Sequence, residues 1–287
     1  MLTSFLEALL QHELGPNIRL EKDSFVSGGC INNTLKLQTN QGDYFLKYKE
    51  NEPELFVKEG LGLKLLRSGP IRIPQVIATG SFDGQDYLLL EFIEKAQPSS
   101  DFWMHFGSDL ADQHRLTNDR FGLAFDNHIG RLPQRNTWST SWSDFFIHHR
   151  LEPQLQMAET NRLLPEGVRA RFELLNKSLP SLVPSEPASL LHGDLWSGNF
   201  MVGSDGQAVI FDPATYYGHR ETELAFTKMF GGFDAEFYQA YQANWPLAPG
   251  FDERVMLHNL YPQLVHLNLF GTAYLSGIQQ TLDYFTR

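Results

Sequence analysis

Cysteine is almost absent. Cys30 is the only one among 287 residues, which excludes an intrachain disulfide and fits a reducing compartment. No run approaches the roughly 18 consecutive apolar residues that a membrane-spanning helix needs. The opening stretch MLTSFLEALLQHEL has no Lys or Arg and carries Glu7 inside its apolar part, so an amphipathic helix is expected rather than a signal peptide. There is no internal repeat and no low-complexity tract. Basic residues are also scarce, 23 against 34 acids for a net charge of −11. Such a surface repels phosphate backbones and anionic membranes, so neither nucleic acid nor membrane is an expected partner. The expectation is a soluble cytoplasmic protein.

What is present suffices for a globular fold. Hydrophobic residues make up 42% and charged residues 20% of the chain, enough for a core and too balanced for global disorder. The first third reads as strands. Val26 to Leu37 is a strand pair broken by SGGCINNT, Tyr44 to Tyr48 is another strand, and Ile77 to Ile93 gives two more around FDGQD. One helix is expected over 54–67. Beyond AQPSS the texture changes to helical patterns, at about 101–117, 141–162, 166–178, 221–243 and 252–285, the last two with breaks. The expected class is α+β in two lobes, 1–93 and 94–287, with a site in the cleft between them.

The chemistry concentrates in LHGDLWSGN, residues 191–199, and in the two apolar runs just after it. NFMV and AVIFD flank GSDGQ and predict a hairpin. If Val202 pairs with Val209, Asn199 lies opposite Asp212, with Cα atoms roughly 5 Å apart. An amide oxygen and a carboxylate are hard ligands suited to Mg²⁺ on phosphates; a polar strand end with no metal is the plainer alternative. Asp194 lies five residues before Asn199. H-x-D-x-x-x-x-N followed by a strand-end Asp is the pattern of kinase-like phosphotransferases. One carboxylate there accepts the proton of an attacking hydroxyl while Asn and the second Asp hold the metal. His192 reads as a brace for the loop.

Phosphoryl transfer needs more than a metal. Gly28 and Gly29 can bring backbone amides to phosphate oxygens, although SGGC is not a Walker A loop and an ordinary glycine turn fits too. Strand alternation puts Phe45, Lys47 and Lys49 on one face, with Lys47 the deeper lysine. Leu55, Glu59, Gly62 and Leu66 form one stripe of the helix, so Glu59 points inward and needs a partner, for which Lys47 is the nearest candidate. Such a pair would aim the lysine at the α/β-phosphates. The backbone of Glu91 and Ile93 would hold adenine, the Glu91 side chain being incidental.

HGDLWSGN, SGGCINN, FGLAFDNHIGRLPQ, WSDFF, FDPATYYGHRETELA, FGGF and WPLAPGFDER resemble the fructosamine kinase (ketosamine-3-kinase) family over nearly the whole chain. HGD…N alone is shared with aminoglycoside phosphotransferases and choline kinases. The resemblance implies a two-lobed protein-kinase-like fold, ATP and Mg²⁺, and phosphorylation of the 3-hydroxyl of ketosamines on amines or protein lysines, which undoes glycation. It implies Asp194 as base, Asn199 and Asp212 as metal residues, and Lys47 with Glu59 on the phosphates. Trp196 would face the sugar or fill the core. Cys30 would be a redox switch that joins two molecules or a buried thiol, hence a monomer or a redox-dependent homodimer. The departure from DFG to DPA, with no long loop after it, implies no phosphorylation-gated activation. Tyr216, His219, Arg220, Glu221 and Glu223 are structural or substrate-side, and the acidic ones would attract an amine. His266 lines the acceptor cleft or is a core histidine. The rival readings are a kinase for another hydroxylated amine, and a nucleotide-binding or redox-sensing protein without catalysis.

Overall fold

The computed structural model describes residues 2–26 and 33–286. Gly28, Gly29 and Cys30 lie outside these residues, and so do the phosphate-loop and thiol expectations that rest on them.

The chain opens with helix α1 (Leu2–Leu14), followed by strands β1 (Leu20–Phe25), β2 (Asn33–Thr39) and β3 (Gly42–Glu50). Helix α2 (Pro53–Leu66) comes next, then β4 (Val76–Phe82) and β5 (Gln85–Glu91). The five strands form one antiparallel sheet in the order β1-β2-β3-β5-β4. The first strand precedes the expected one: it ends at Phe25, and Val26 just beyond it donates its amide to the Thr34 carbonyl and accepts the Thr34 hydroxyl. The sequence hides Leu20–Phe25 because LEKDSF lies at the sheet edge and has no alternation: Glu21 and Lys22 are both exposed, and so is Phe25.

The sheet is covered on both faces. Leu6, Leu9 and Leu10 of α1, at the i, i+3, i+4 spacing of a helix face, pack with Leu35, Leu37, Leu46 and Leu89. On the other side Phe56, Leu63 and Leu66 of α2 join Leu88 and Leu90 of β5. Gly60 permits this approach, since a Cβ there would stand 2.9 Å from Thr79 Cγ2.

The remainder is mainly helical. Helix α3 (Phe102–His114) leads to short strands β6 (Thr117–Asn118), β7 (Asn127–Ile129) and β8 (Leu132–Gln134). Helix α4 (Trp142–Phe146) runs through a π-helical turn at Ile147–Leu151 into α5 (Glu152–Thr160), and α6 (Val168–Leu182) comes after it. Strands β9 (Ala188–Leu191), β10 (Phe200–Val202), β11 (Ala208–Ile210) and β12 (Tyr216–Gly218) frame the motif loop. Helices α7 (Arg220–Met229), α8 (Ala235–Asn244), α9 (Phe251–His258), α10 (Leu260–Phe270) and α11 (Leu275–Phe285) close the chain. The two long helical patterns at its end thus resolve into five helices, broken by FGGF, APG, Asn259 and the Gly271 turn. Phe102, Phe106 and Leu110 of α3 and Phe237 of α8 share one apolar cluster with α2 and β5, so sheet and helices are packed together.

Helix α7 is buried on nearly every side, and its polar residues are matched internally. Arg220 forks onto Glu186 at 2.7 and 2.8 Å. Arg254 forks onto Glu221 at 2.7 and 2.6 Å, and His258 adds a third contact at 3.1 Å. His219, with no exposed surface, caps the helix. Its Nδ1 accepts the Glu221 amide, and its Nε2–H donates to the Pro184 carbonyl.

Burial holds the His219 imidazole down at about 3. Burial alone would raise the Glu221 carboxyl, but its bonds to Arg254 and His258 outweigh that and hold it at about 2. Both folded values lie below those of an unfolded chain, which therefore takes up more protons on acidification. His219's contribution is complete above about pH 6.5 and is lost as pH falls towards 3. Glu221's is complete above about pH 4.5 and is lost towards 2. Through these two groups folding stability is expected to fall below pH 6.5, His219 contributing about 1.4 kcal/mol per pH unit and Glu221 adding to the loss below 4.5. Urea midpoints between pH 7 and 4 test this; a flat profile contradicts it.

Candidate active site

Residues 192–199 connect β9 to β10, and two glycines fix the path. Gly193 has φ +83, and a Cβ there would come within 2.1 Å of the Ala214 carbonyl oxygen. At Gly198 a Cβ would fall 2.3 Å from the Trp196 ring, so the indole folds back across its own loop. His192 is buried and bridges two segments. Its Nδ1 accepts the Asp194 amide and its Nε2–H donates to the Phe211 carbonyl at 2.9 Å. Burial lowers its pKa, which suits this neutral, bracing tautomer.

The hairpin register differs from expectation by one residue. Val202 faces Ala208, Met201 faces Val209 and Phe200 faces Ile210. The cause is the turn: the Gly203 amide donates to the Gln207 carbonyl, leaving a three-residue loop with Gly206 left-handed at φ +77. Asn199 therefore faces Phe211, whose amide donates to its carbonyl at 3.1 Å. Asp212 leaves the ladder with φ 57, uncommon for a non-glycine residue, and lines the same cavity as Asn199.

Lys47 is the electrostatic centre. It is only 3% exposed on β3, and it donates to Glu59 of α2 at 2.6 Å and to a carboxylate oxygen of Asp212. Burial works against its charge, but the two carboxylates outweigh this and raise its pKa. The stripe expected on α2 explains the meeting: Gly62, one turn beyond Glu59, lies against Thr215 and Pro213, so the helix runs beside the Asp212 segment. Asp194 is positioned by Asn199, whose Nδ2 donates to the Asp194 carbonyl at 2.8 Å and its carboxylate at 2.9 Å. Burial pushes the Asp194 carboxyl up, against the Asn199 bond, and the charges of Asp212 and Glu223 add to the rise. Lys47, Glu59, Asp194, Trp196, Asn199 and Asp212 line one cleft of about 240 Å³.

Three expectations need correction. His219 and Glu223 are not substrate-side: His219 is the buried cap of α7, and Glu223 is 3% exposed. Glu223 instead accepts the Gly193 amide at 2.6 Å, the His192 amide at 3.1 Å and His114 Nε2 at 2.9 Å, so it holds the loop from behind. The Glu91 side chain is not incidental, since its carboxylate accepts the Gln75 amide at 2.9 Å. The Glu91 amide is itself bound to the Gln75 carbonyl, and Ile93 is buried just beyond. His266 lines the cleft, with Nδ1–H donating to the Pro262 carbonyl at 2.7 Å.

Two features went unread in the sequence. His114, on α3, partners Glu223 and the Tyr241 hydroxyl in the interior. The β7–β8 hairpin clamps the segment after Asp212. Gln134 donates to the Ala214 carbonyl and Asn127 to the Thr215 carbonyl, each at 2.9 Å. Amide side chains within NHIGRLPQ were the available signal.

Fold and site together define a protein-kinase-like phosphotransferase. A crystal structure of a spectinomycin phosphotransferase with ADP and spectinomycin aligns with TM-score 0.58 at 15% identity, over 98% of this chain and 92% of that one, a likeness of fold. The profile of the fructosamine kinase family matches residues 2–287, and the chain belongs to that family. It is 42% identical to a probable ketoamine kinase of Synechocystis sp., over 95% of this chain and 93% of the relative. To a chloroplastic protein-ribulosamine 3-kinase of Oryza sativa subsp. indica it is 38% identical, over 92% and 78%. The crystal structure of a candidate fructosamine-3-kinase from Thermobifida fusca aligns with TM-score 0.88 at 30% identity, over 98% of both chains.

Glu223→Gln replaces one acceptor oxygen facing the loop amides with a donor. Losing a charge-assisted hydrogen bond costs about 1.5–3 kcal/mol, so kcat is expected to drop about tenfold or more and the melting temperature by a few degrees. Steady-state kinetics with thermal denaturation check this; unchanged kcat would show that the loop holds its shape without Glu223.

Proposed function

We propose that this protein transfers the γ-phosphoryl group of ATP to the 3-hydroxyl of ketosamines, free or on protein lysines, and so serves deglycation repair. The observation that carries the reading is the convergence of Asp194, Lys47, Asn199 and Asp212 on one cleft. The two lobes, 1–93 and 94–287, would hold the nucleotide between them, with adenine on the Glu91 carbonyl and the Ile93 amide. Asp194 orients the acceptor hydroxyl and takes its proton. Lys47, fixed by Glu59, meets the α/β-phosphates.

The donor set suits Mg²⁺. Glu59, Asp194 and Asp212 set three carboxylates against one ammonium, an excess of negative charge that a divalent cation relieves. Both Nδ2 bonds of Asn199 go to Asp194, which leaves its Oδ1 as the hard oxygen donor that would hold the ion together with Asp212 of the same cleft. Bound there, the ion would neutralise phosphate charge. Phosphoryl transfer has a loose transition state, so positioning and electrostatics supply most of the acceleration. Trp196, half-buried at the cleft, offers its ring face to sugar C–H groups.

Two measurements test this. Consumption of ATP is expected with ketosamines of one or more sugar lengths and not with aminoglycosides or choline; the reverse pattern would move the substrate elsewhere. Asp194→Asn is expected to lower kcat at least about a hundredfold with nucleotide binding retained. Near-normal turnover would remove Asp194 from the role of base.

A further inference from the structure

The cleft does not end at Trp196. The Trp196 ring meets Phe230 at 5.7 Å, Phe230 meets His266 at 5.1 Å, and His266 meets Phe270 at 5.5 Å and Tyr274 at 4.9 Å. All lie within the range of favourable ring contact. The rings come from separate segments: the motif loop, the residue after α7, helix α10 and the turn at Thr272–Tyr274. Local sequence therefore did not assemble the strip. Its outer members are uncovered, Phe230 at 41% and Phe270 at 60% exposure. Trp196, His266 and Phe270 line the same cavity as Asp194, so the strip starts inside the site and leads out of it. A contiguous exposed apolar surface that opens into a cleft marks a binding face.

We propose that Phe230, Phe270 and Tyr274, gathered round His266, form a subsite for the amine-borne substituent of the acceptor, with apolar and aromatic substituents as its ligands. The proposal rests on the reading of the chain as a ketosamine kinase. In a ketosamine the nitrogen sits on C1 and the reacting hydroxyl on C3. A hydroxyl held at Asp194 thus keeps the nitrogen close by, within reach of the ring wall. Lys47, Glu59 and Asp212 occupy the phosphate end, which leaves the substituent to depart along the aromatic side. The protonated amine meets ring faces there, an attractive arrangement for a cation. His266 does not oppose it, since burial keeps that imidazole neutral near pH 7.

The test is a set of ketosamines with one sugar and a methyl, butyl or benzyl group on nitrogen, assayed with the wild type, Phe270→Ala and Phe230→Ala. The wild type is expected to bind the benzyl adduct about fivefold better than the methyl adduct by KM, from a ring contact of ordinary strength. In either variant the contrast is expected to shrink below about twofold. Phe270→Trp, which restores a ring at an exposed position, should restore it. Light scattering reports whether the face instead joins two copies. The proposal is overturned if the contrast survives both alanine variants, if KM for all three adducts shifts by one common factor, or if the strip is covered by a second chain. Failure to phosphorylate any of the ketosamines overturns the functional reading itself, a result separable from a lost contrast.

Discussion

The buried ammonium of Lys47 joins the parts of this molecule. It stands on the third strand of the sheet, bonds to Glu59 on α2, the helix covering one face of that sheet, and reaches Asp212 in the helical region. A charge so deep is tolerable only with partners, and here each partner comes from a different element. The contact therefore constrains the placement of α2, the sheet and the 211–215 segment at once. Gly62 beside Thr215, and the β7–β8 amides on the Ala214 and Thr215 carbonyls, reinforce the same junction.

A second layer stands behind the first. Glu223 gathers two loop amides and His114, while His192 links the loop to Phe211. These groups do not face the cleft. They fix the backbone that presents Asp194, and the Asn199 amide then sets its carboxylate. Enzymes that depend on positioning need such support, because a misplacement of about 1 Å costs much of the rate.

Periodicity made part of the site legible in the sequence. Strand alternation placed Lys47 on an inward face, and the helical stripe turned Glu59 towards it. Legibility ended where geometry depends on a turn or on distant packing. The hairpin slipped by one residue because nothing in GSDGQ states which glycine turns left-handed. Asn199 and Asp212 still share the cleft, since Asp212 leaves the ladder. The acids on α7 could be structural or substrate-side in the sequence because their counterparts, Arg254, His258 and His114, lie far off in the chain. The aromatic strip was illegible for the same reason.

The proposed chemistry delivers a phosphoryl group to one particular oxygen. Phosphorus and carbon NMR on the product formed from ATP and a ketosamine labelled with ¹³C at C3 reads this directly. A single phosphate ester is expected, with its phosphorus coupled to the labelled carbon. An ester on another oxygen, or release of inorganic phosphate with the ketosamine unchanged, would contradict it.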